Sequence, residues 1–220
     1  MLPRSMNKVR ILIADDHALV REGLRRVLET RRDWEVCAEA VNGRDAVAKA
    51  CACKPDVVIV DFSMPELNGL EATRQIHAAL PRTEVLVLTM HETDSLVRDV
   101  LAAGARGFIL KSDAGHALVE AIETLLLHKP YFTAKVTELV LQGYLNPASA
   151  PGEISSPLTA RERQVVQLVA EGKSSKEVAD SLGVSAKTVE SHRANILRKL
   201  GLRSSAELVR YAVRNKIVEA

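Results

Sequence analysis

The chain has 220 residues, of which 47% are hydrophobic and 3% aromatic, a composition that fits one or two globular domains and excludes a disordered chain. The formal net charge is only +2, but residues 8–128 carry 15 Lys and Arg against 19 Asp and Glu, whereas residues 154–220 carry 12 against 7. We therefore expect only the C-terminal part of the chain to approach nucleic acid.

Neither a membrane segment nor a disulfide framework is expected. No apolar stretch approaches the roughly 18 residues of a membrane-spanning helix, and the N-terminus lacks an apolar signal region, so we expect a cytoplasmic protein without membrane attachment. Three cysteines, Cys37, Cys51 and Cys53, fit a reducing compartment. A zinc site at Cys51 and Cys53 is disfavoured because no matching Cys/His pair follows, and we expect small residues on a helix face instead.

Residues 8–127 alternate short β-branched runs with longer amphipathic stretches, a pattern typical of repeated strand–helix units. Five such units predict an α/β fold with a doubly wound, five-stranded parallel sheet. The expected strand order is 2-1-3-4-5, the flavodoxin-like (CheY-like) order. The predicted strands are 9–14, 35–40, 56–60, 84–89 and 106–110, and the predicted helices are 17–30, 43–53, 68–79, 93–103 and 114–127.

The pattern changes after residue 127. Residues 128–154 are predicted to be a linker, with a candidate helix near 133–143. Residues 155–220 contain no strand pattern and are predicted to form a small all-α domain of four helices. Thr159 and Glu162 have the spacing of a capping box at the start of the first helix. The four helices are expected near 159–171, 175–182, 186–200 and 204–216.

Four predicted strands end at polar residues, which are Asp15-Asp16, Asp61, Thr89 and Lys111. Because parallel strands bring their carboxyl ends to one edge of the sheet, the three carboxylates should crowd together and raise one another's pKa. A hard cation such as Mg2+ relieves this repulsion. A carboxylate nucleophile then attacks a phosphoryl donor, while Lys111 neutralises the developing charge and the Thr89 hydroxyl donates to a phosphoryl oxygen.

Each of these residues also has an ordinary structural explanation. An Asp-Asp pair after a strand is usually a solvated turn or a helix cap, a Thr at a strand end is usually chosen for its β-branched shape, and an isolated Lys usually lies on the surface. Their joint placement at four strand ends favours a functional site over these explanations.

Residues 8–127 resemble the receiver domain of bacterial two-component response regulators. The resemblance implies that Asp61 is the phosphoacceptor, that Asp16, Asp61 and the Ser63 backbone carbonyl ligate Mg2+, and that Asp15 assists. It also implies that Thr89 and Phe108 are a switch pair, in which the aromatic ring rotates inward when the hydroxyl turns toward the phosphoryl group. The motifs that carry it are Asp15-Asp16, Asp61 with Met64-Pro65 and Gly69, Thr89, and Phe108-Ile109-Leu110-Lys111.

Two positions depart from the pattern of that family. Ser112 follows Lys111, where many receivers have a proline in a cis peptide, and a non-proline cis bond costs about 2.5–4 kcal/mol. The isomer of the Lys111–Ser112 peptide is therefore left open. Phe108 stands where tyrosine is common, so the ring has no hydroxyl, but the rotamer switch itself is expected to persist.

A helix that breaks at Gly183 is followed by a second helix that begins after the Ser185 cap. Apolar residues of both helices form one shared seam, which predicts a helix-turn-helix whose second helix enters the major groove of DNA. The residues of the seam are Val178, Ala179, Leu182, Val184, Val189, Ile196, Leu197 and Leu200.

Three motifs stand out in the helical region, namely Leu158-Thr159-x-Arg161-Glu162, Thr188-Val189-Glu190-x-His192-Arg193 and Asn195-Ile196-x-Arg198-Lys199-Leu200. With these motifs, residues 155–218 resemble the LuxR-type helix-turn-helix of the NarL/FixJ regulators. The resemblance implies binding to double-stranded promoter DNA as a homodimer, with the last helix, 204–216, as the dimer surface.

The polar face of helix 186–200 supplies the candidate DNA contacts, which include Asn195. Contacts to phosphates are predicted for Lys187, Thr188, His192, Arg198 and Lys199, and contacts to base edges for Glu190, Ser191, Arg193 and Ala194. Glu190 either accepts a hydrogen bond from a cytosine amino group or orients Arg193, and the sequence leaves both roles open.

Taken together, these patterns predict a DNA-binding transcriptional regulator of a two-component system, phosphorylated on Asp61 by a sensor histidine kinase. The chain is expected to be a phosphoacceptor and not an enzyme, with at most self-phosphorylation from small donors and slow self-dephosphorylation. One alternative is a haloacid-dehalogenase-like phosphatase, but Asp61-Phe62-Ser63 lacks the Asp-x-Asp-x-Thr pattern of that family. The other alternative is a DNA-binding regulator that is independent of phosphate.

Two routes across the linker remain open. Either the unphosphorylated receiver masks helix 186–200, or phosphorylation promotes receiver dimerisation and so raises the effective concentration of two DNA-binding domains.

Overall fold

Apolar β-branched runs form five parallel strands in the N-terminal part of the chain. The computed structural model describes residues 8–90, 94–132, 158–215 and 217–218. The strands lie in the order β2-β1-β3-β4-β5, and every neighbouring pair is parallel, which confirms the predicted fold class and strand order. They are β1 (Val9–Ala14), β2 (Trp34–Ala40), β3 (Val57–Asp61), β4 (Glu84–Thr89) and β5 (Gly107–Leu110).

Five helices and one 3-10 turn connect and cover these strands. Several helices begin after a capping residue: the Asn42 side chain accepts a hydrogen bond from the Asp45 amide, and Asn68 does the same for Glu71. Because caps lie outside the helix, most helices are one or two residues shorter at an end than predicted. They are α1 (Ala18–Leu28), α2 (Gly43–Cys53), α3 (Gly69–Ala79), α4 (Asp94–Ala102) and α5 (Ala114–Leu126), with the 3-10 turn at Lys111–Asp113.

The sheet has a hydrophobic core on each face, because successive side chains of a strand point to opposite sides. In β1, Leu12 packs in a core with residues of α2, α3 and α4, whereas Ile11 and Ile13 pack in a second core with α1 and α5. Strands buried on both faces account for the continuous apolar runs in the sequence. Because all five strands are parallel, their carboxyl ends lie at one edge of the sheet.

Residues from 158 onward form a separate helical core. Thr159 and Glu162 form the predicted capping box, and Ser174 and Glu177 form a second one. Gly183 and Gly201 cap the ends of two helices in the left-handed conformation, with φ values of 64° and 66°. The helices are α6 (Ala160–Ala170), α7 (Ser175–Leu182), α8 (Ala186–Leu200) and α9 (Ser205–Arg214).

Only the first residues of the predicted linker lie within the described part of the chain. The candidate helix near 133–143 lies outside the described residues. The described part of the linker, residues 128–132, includes Tyr131, which forms a parallel bridge with Gly107 of β5 and whose carbonyl accepts a hydrogen bond from the Phe108 amide at 3.1 Å. Among the described residues, no helix has both the length and the apolar composition needed to cross a membrane.

Candidate functional site

Three charged side chains meet at the carboxyl edge of the sheet. Asp15 follows β1, Asp61 ends β3 and Lys111 follows β5. The Lys111 Nζ lies 2.8 Å from Asp15 Oδ2 and 3.0 Å from Asp61 Oδ1. Both carboxylates are buried, Asp15 with 0% and Asp61 with 1% of its surface exposed. The predicted convergence of these strand ends is therefore present, and it takes the form of an ion-paired triad.

The backbone around Asp61 leaves little freedom to the residues that follow it. Asp61 pairs in register with Leu88 of β4, so its position is set by the sheet. The loop of residues 62–68 closes where the Gly69 amide donates to the Phe62 carbonyl at 2.8 Å. A Cβ on Gly69 would lie 2.1 Å from the Asp61 carbonyl oxygen, which explains why glycine occupies this position. The loop is therefore packed tightly against the phosphoacceptor candidate.

Electrostatics at this site oppose a full negative charge on Asp61. Burial, followed by the nearby Asp15 carboxylate, raises the pKa of Asp61 from its ordinary value of 3.8 to about 7, although Lys111 and the Ser63 amide act in the opposite direction. Burial also acts to lower the pKa of Lys111, but hydrogen bonding and attraction to Asp15 and Asp61 outweigh it and raise that pKa. Lys111 therefore stays protonated. Its single positive charge offsets only part of the negative charge of the buried carboxylates.

The acidic group fits a hard divalent cation. Ligand atoms of Asp15, Asp16, His17 and Asp61 all lie within 4.8 Å of one another. Asp61 Oδ2 is buried and has no hydrogen-bond partner within the described residues, so one carboxylate oxygen is available for a ligand. Asp16 is the more exposed carboxylate and contacts His17 Nδ1 at 2.9 Å. Oxygen donors at this density suit Mg2+, and the carbonyl role of Ser63 stays a prediction.

His17 was not identified as a site residue from the sequence. Its Nδ1 lies 3.4 Å from Asp15 Oδ1, and its backbone amide donates to the same oxygen at 2.8 Å. The available signal was its position directly after two aspartates.

The switch candidates occupy neighbouring strands near the triad. Thr89 ends β4 and is buried, and Phe108 lies in β5 two pairs earlier, opposite Val87. The Phe108 ring is 1% exposed, so it already points inward in this structure. The Lys111–Ser112 peptide is trans, which answers the question left open by the missing proline.

The polar face of α8 is open to solvent, while Val189 and Ile196 on its other face are fully buried in the helical core. Most of the predicted DNA contacts are therefore accessible. The exposed ones are Lys187, Thr188, Glu190, Ser191, Ala194, Asn195, Arg198 and Lys199, whereas His192 and Arg193 are half-buried.

Two of these basic side chains also hold the helical domain together. The Arg193 guanidinium donates to Ser175 Oγ at 2.9 Å and to Ser205 Oγ at 2.8 Å, which links α8 to α7 and α9. Lys199 Nζ lies 2.7 Å from the buried Glu162 carboxylate. Burial acts to raise the pKa of Glu162, but Lys199 and the Thr159 cap lower it overall. Their DNA contacts stay predictions.

Two family models match the chain. Residues 11–123 match the response regulator receiver domain, and residues 156–212 match the bacterial regulatory proteins of the luxR family. The chain belongs to the two-component response regulators with a LuxR-type DNA-binding domain. This assignment confirms both resemblances drawn from the sequence and favours a regulator over the phosphatase alternative.

Similar proteins of this family match along nearly the whole chain. The oxygen regulatory protein NreC of Staphylococcus epidermidis is 39% identical over 218 residues, which cover 96% of this chain and all of that protein. RcsB from Salmonella enterica serovar Typhimurium, bound to promoter rprA in the presence of the phosphomimetic BeF3-, is 27% identical with a TM-score of 0.61 and covers 93% of this chain and 98% of its own. A structure of two RcsB dimers bound to two parallel DNAs is 28% identical with a TM-score of 0.56 and the same coverage.

In this response regulator, helix α6 of the DNA-binding domain contacts the loop that follows Asp61. Gln167, only 2% exposed, donates from Nε2 to the Met64 carbonyl at 2.9 Å and accepts at Oε1 from the Asn68 amide at 2.9 Å. Glu171 accepts from the Glu66 amide at 3.0 Å and from Gln167 at 2.8 Å. This contact between the two domains, which we call the loop dock, was not predicted from the sequence.

The raised pKa of Asp61 leads to a prediction about stability. A folded-state pKa above the unfolded value means that the folded protein binds the proton more tightly, so the free energy of unfolding falls as pH rises from about 4 to about 7. Asp61→Asn removes this penalty. Because each pKa unit corresponds to 1.36 kcal/mol, we expect the variant to be more stable than the wild type by up to about 4 kcal/mol at pH 8.

Urea unfolding in EDTA at pH 8 and pH 5 measures this difference, which should be distinctly smaller at pH 5. Asp33→Asn, a change at an exposed carboxylate, is the matched control and should show little effect at either pH. A difference between Asp61→Asn and wild type that is the same at both pH values would contradict the electrostatic explanation.

Proposed function

We propose that Asp61 accepts a phosphoryl group from a sensor histidine kinase and that this modification controls promoter binding by a homodimer in the cytoplasm, where kinase donor and DNA are both accessible. The observation that carries this proposal is the buried Asp61 carboxylate, which has one oxygen held by Lys111 and the other without a hydrogen-bond partner within the described residues. Membership of the response regulator family supports the same role.

In the proposed reaction, a carboxylate oxygen of Asp61 attacks the phosphorus of the donor, and the bond from phosphorus to the donor atom breaks with its electron pair leaving on the donor. Mg2+, held by Asp16, Asp61 and the Ser63 carbonyl with help from Asp15, would neutralise charge on the phosphoryl oxygens. Lys111 keeps the nucleophile oriented and supplies a second positive charge. Asp61 ends the reaction phosphorylated, so the chain acts as an acceptor and not as an enzyme with turnover.

The DNA-binding half of the proposal rests on the open face of α8. Its accessible side chains include Lys187 and Arg198, which would contact phosphates, while Glu190 and Ser191 would face bases. Homodimerisation through α9 is supported by the exposure of Arg210, Val213 and Arg214 on that helix. The structure of RcsB dimers bound to DNA supports binding as a homodimer by similarity.

The loop dock suggests how the signal crosses between the domains. In the docked arrangement the polar face of α8 is open to solvent, which favours a route other than burial of this helix by the receiver. Instead, Gln167 holds the backbone of Met64 and Asn68, in the loop that begins directly after Asp61. The hydrogen bonds from Gln167 fit the present conformation of the loop, so the dock favours that conformation. We expect phosphorylation of Asp61 to change the conformation of the loop and therefore to weaken the dock.

The first prediction of this proposal concerns the phosphoacceptor. Incubation of the wild-type protein with acetyl phosphate and Mg2+ should produce an acyl phosphate on Asp61, and Asp61→Asn should abolish it because an amide is not a nucleophile of this kind. Intact mass spectrometry and hydroxylamine cleavage measure the product. Asp33→Asn is the matched control and should be labelled like wild type. Undiminished Mg2+-dependent labelling of Asp61→Asn would rule the assignment out.

The second prediction concerns the loop dock. Gln167→Ala removes both hydrogen bonds to the loop, so the Asn68 amide should exchange its hydrogen about fivefold faster or more. Gln164→Ala is the matched control on the same helix, since Gln164 contacts Arg161 within the DNA-binding domain. Wild-type protein phosphorylated with acetyl phosphate should lose protection at Asn68 as well. Retained protection in fully phosphorylated protein would show that the dock does not respond to Asp61.

The third prediction concerns DNA. Lys187→Ala should weaken binding to specific and unrelated sequences alike and reduce the slope of log K against log salt by about one unit, because one phosphate contact is lost. Fluorescence anisotropy at several salt concentrations measures both quantities. Arg32→Ala removes one exposed positive charge from the receiver and should leave the slope unchanged. A loss confined to one base position would instead assign Lys187 to base recognition.

A further inference from the structure

Two cysteines that are distant in sequence lie next to each other at the edge of the receiver. Cys37 lies in the edge strand β2, Cys53 is the last residue of α2, and the Cys37 thiol donates to the Cys53 sulfur at 3.2 Å. A disulfide bond joins sulfurs at about 2.05 Å, so these two need to approach by only about 1 Å more. Both are reduced in this structure.

Both cysteines stand at points where the backbone can adapt. The pairing of β2 with β1 shifts register at Cys37: Ile11 pairs with Val36 and Leu12 with Ala38, which leaves Cys37 as the extra residue of a bulge. A bulged strand bends more readily than a regular one. Cys53 ends its helix, and Lys54 follows in the left-handed conformation with φ of 46°. Small movements of either end do not require the sheet to shift.

The Cys37 and Cys53 side chains are held close together, and their sulfurs are accessible to small reagents. Both side chains pack against the same hydrophobic core, so they meet persistently and not by occasional collision. Both are only partly buried, which lets a small oxidant or a reducing thiol reach the sulfurs. The Arg10 guanidinium donates to the Cys53 carbonyl and fastens the end of α2 beside β1.

A metal site does not explain this arrangement. The grouping of potential ligands found among the described residues is the acidic one at Asp61, and it does not include these cysteines. Cys51 does not complete a pair with Cys53 either, because helix residues two positions apart do not face each other. From the sequence, a zinc site at Cys51 and Cys53 is disfavoured, and the fold places Cys53 beside Cys37.

We propose that Cys37 and Cys53 are a redox modification site, at which a peroxide forms a reversible disulfide within one receiver domain. Disulfides in reducing compartments are typically transient, and partial exposure of both sulfurs makes this one accessible to reduction by small thiols.

The chemistry divides the two thiols into distinct roles. Burial, followed by the hydrogen bond to Cys53, raises the pKa of Cys37 to about 12, so Cys37 keeps its proton at neutral pH. Cys53 is then the sulfur that attacks hydrogen peroxide, which gives a sulfenic acid and one water. Cys37 attacks this sulfur, the S–OH bond breaks, and a second water leaves with the Cys37 proton. One peroxide is reduced and two thiols are oxidised, so the reaction balances.

The bond would close a ring that contains the whole of α2. The N-terminal end of that helix abuts the loop dock: Asn42 Nδ2 donates to Glu66 Oε1 at 3.3 Å, and a Cβ on Gly43 would lie 2.0 Å from the Leu67 carbonyl oxygen. Closing the ring removes conformational freedom mainly from the unfolded chain. Oxidation should therefore stabilise the receiver and stiffen the helix on which the loop of residues 62–68 rests.

The direct test is oxidation of the full-length protein with hydrogen peroxide, followed by denaturation and alkylation with N-ethylmaleimide. We expect a mass loss of two hydrogens, one alkylated cysteine (Cys51) in place of three, and a cross-linked peptide pair containing Cys37 and Cys53. Dithiothreitol should restore three alkylated cysteines. Three free thiols after oxidation, a cross-link that includes Cys51, or only intermolecular disulfides on a non-reducing gel would each overturn the proposal.

Matched serine variants separate the effect of the bond from general oxidation. Oxidation should raise the Tm of wild type and of Cys51→Ser by about 10 °C, as expected for a ring of this size. The same treatment should not raise the Tm of Cys37→Ser or Cys53→Ser. Equal Tm shifts in all four proteins would mean that the disulfide does not form at this site, whatever the outcome of phosphorylation at Asp61.

Discussion

The ammonium group of Lys111, held between two buried carboxylates, is the interaction on which the receiver site depends. Parallel strands bring Asp15 and Asp61 to the same dry edge, where two negative charges repel and lose their hydration. Lys111 contacts both and offsets part of this cost. Burial and the neighbouring Asp15 carboxylate outweigh the lysine, so the pKa of Asp61 stays raised. Asp16 adds a third carboxylate to the same group. The residual negative charge favours binding of a divalent cation.

The loop of residues 62–68 connects this acidic site directly to the DNA-binding domain. The loop after Asp61 is closed by the Gly69 amide, which donates to the Phe62 carbonyl, and it packs against the Asp61 carbonyl. A rearrangement at Asp61 therefore has little room to be absorbed locally. Gln167 binds the same loop at Met64 and Asn68. Two states of one loop can therefore favour two domain arrangements, as a switch between bistable elements requires. This coupling needs no contact with α8.

The sequence predicted those parts of the molecule in which residue type and spacing carry the information. Apolar runs that end in Asp61 or Lys111 predicted strands and their shared edge, and Ser185 and Gly201 marked the bounds of α8. The loop dock was not predicted because Gln167 binds backbone groups, and these leave no signature in the sequence of the loop. The Cys37–Cys53 pair was not predicted because a register shift in β2 decides where Cys37 lies. A bulge of this kind leaves only a weak pattern in the sequence.

The chemistry of the dock is compatible with the proposed switch, in which the contact opens on phosphorylation. Gln167 is uncharged, so its two hydrogen bonds bring no net charge into the interface and depend little on salt. Arg163 on the same helix interacts with Arg74, Glu71 and Asp99 of the receiver, and burial followed by repulsion from Arg74 lowers its pKa. Its Nε is buried without a hydrogen-bond partner in the described part of the chain. The neutral amide thus supplies directional hydrogen bonds, and Arg163 adds mixed attraction and repulsion beside them.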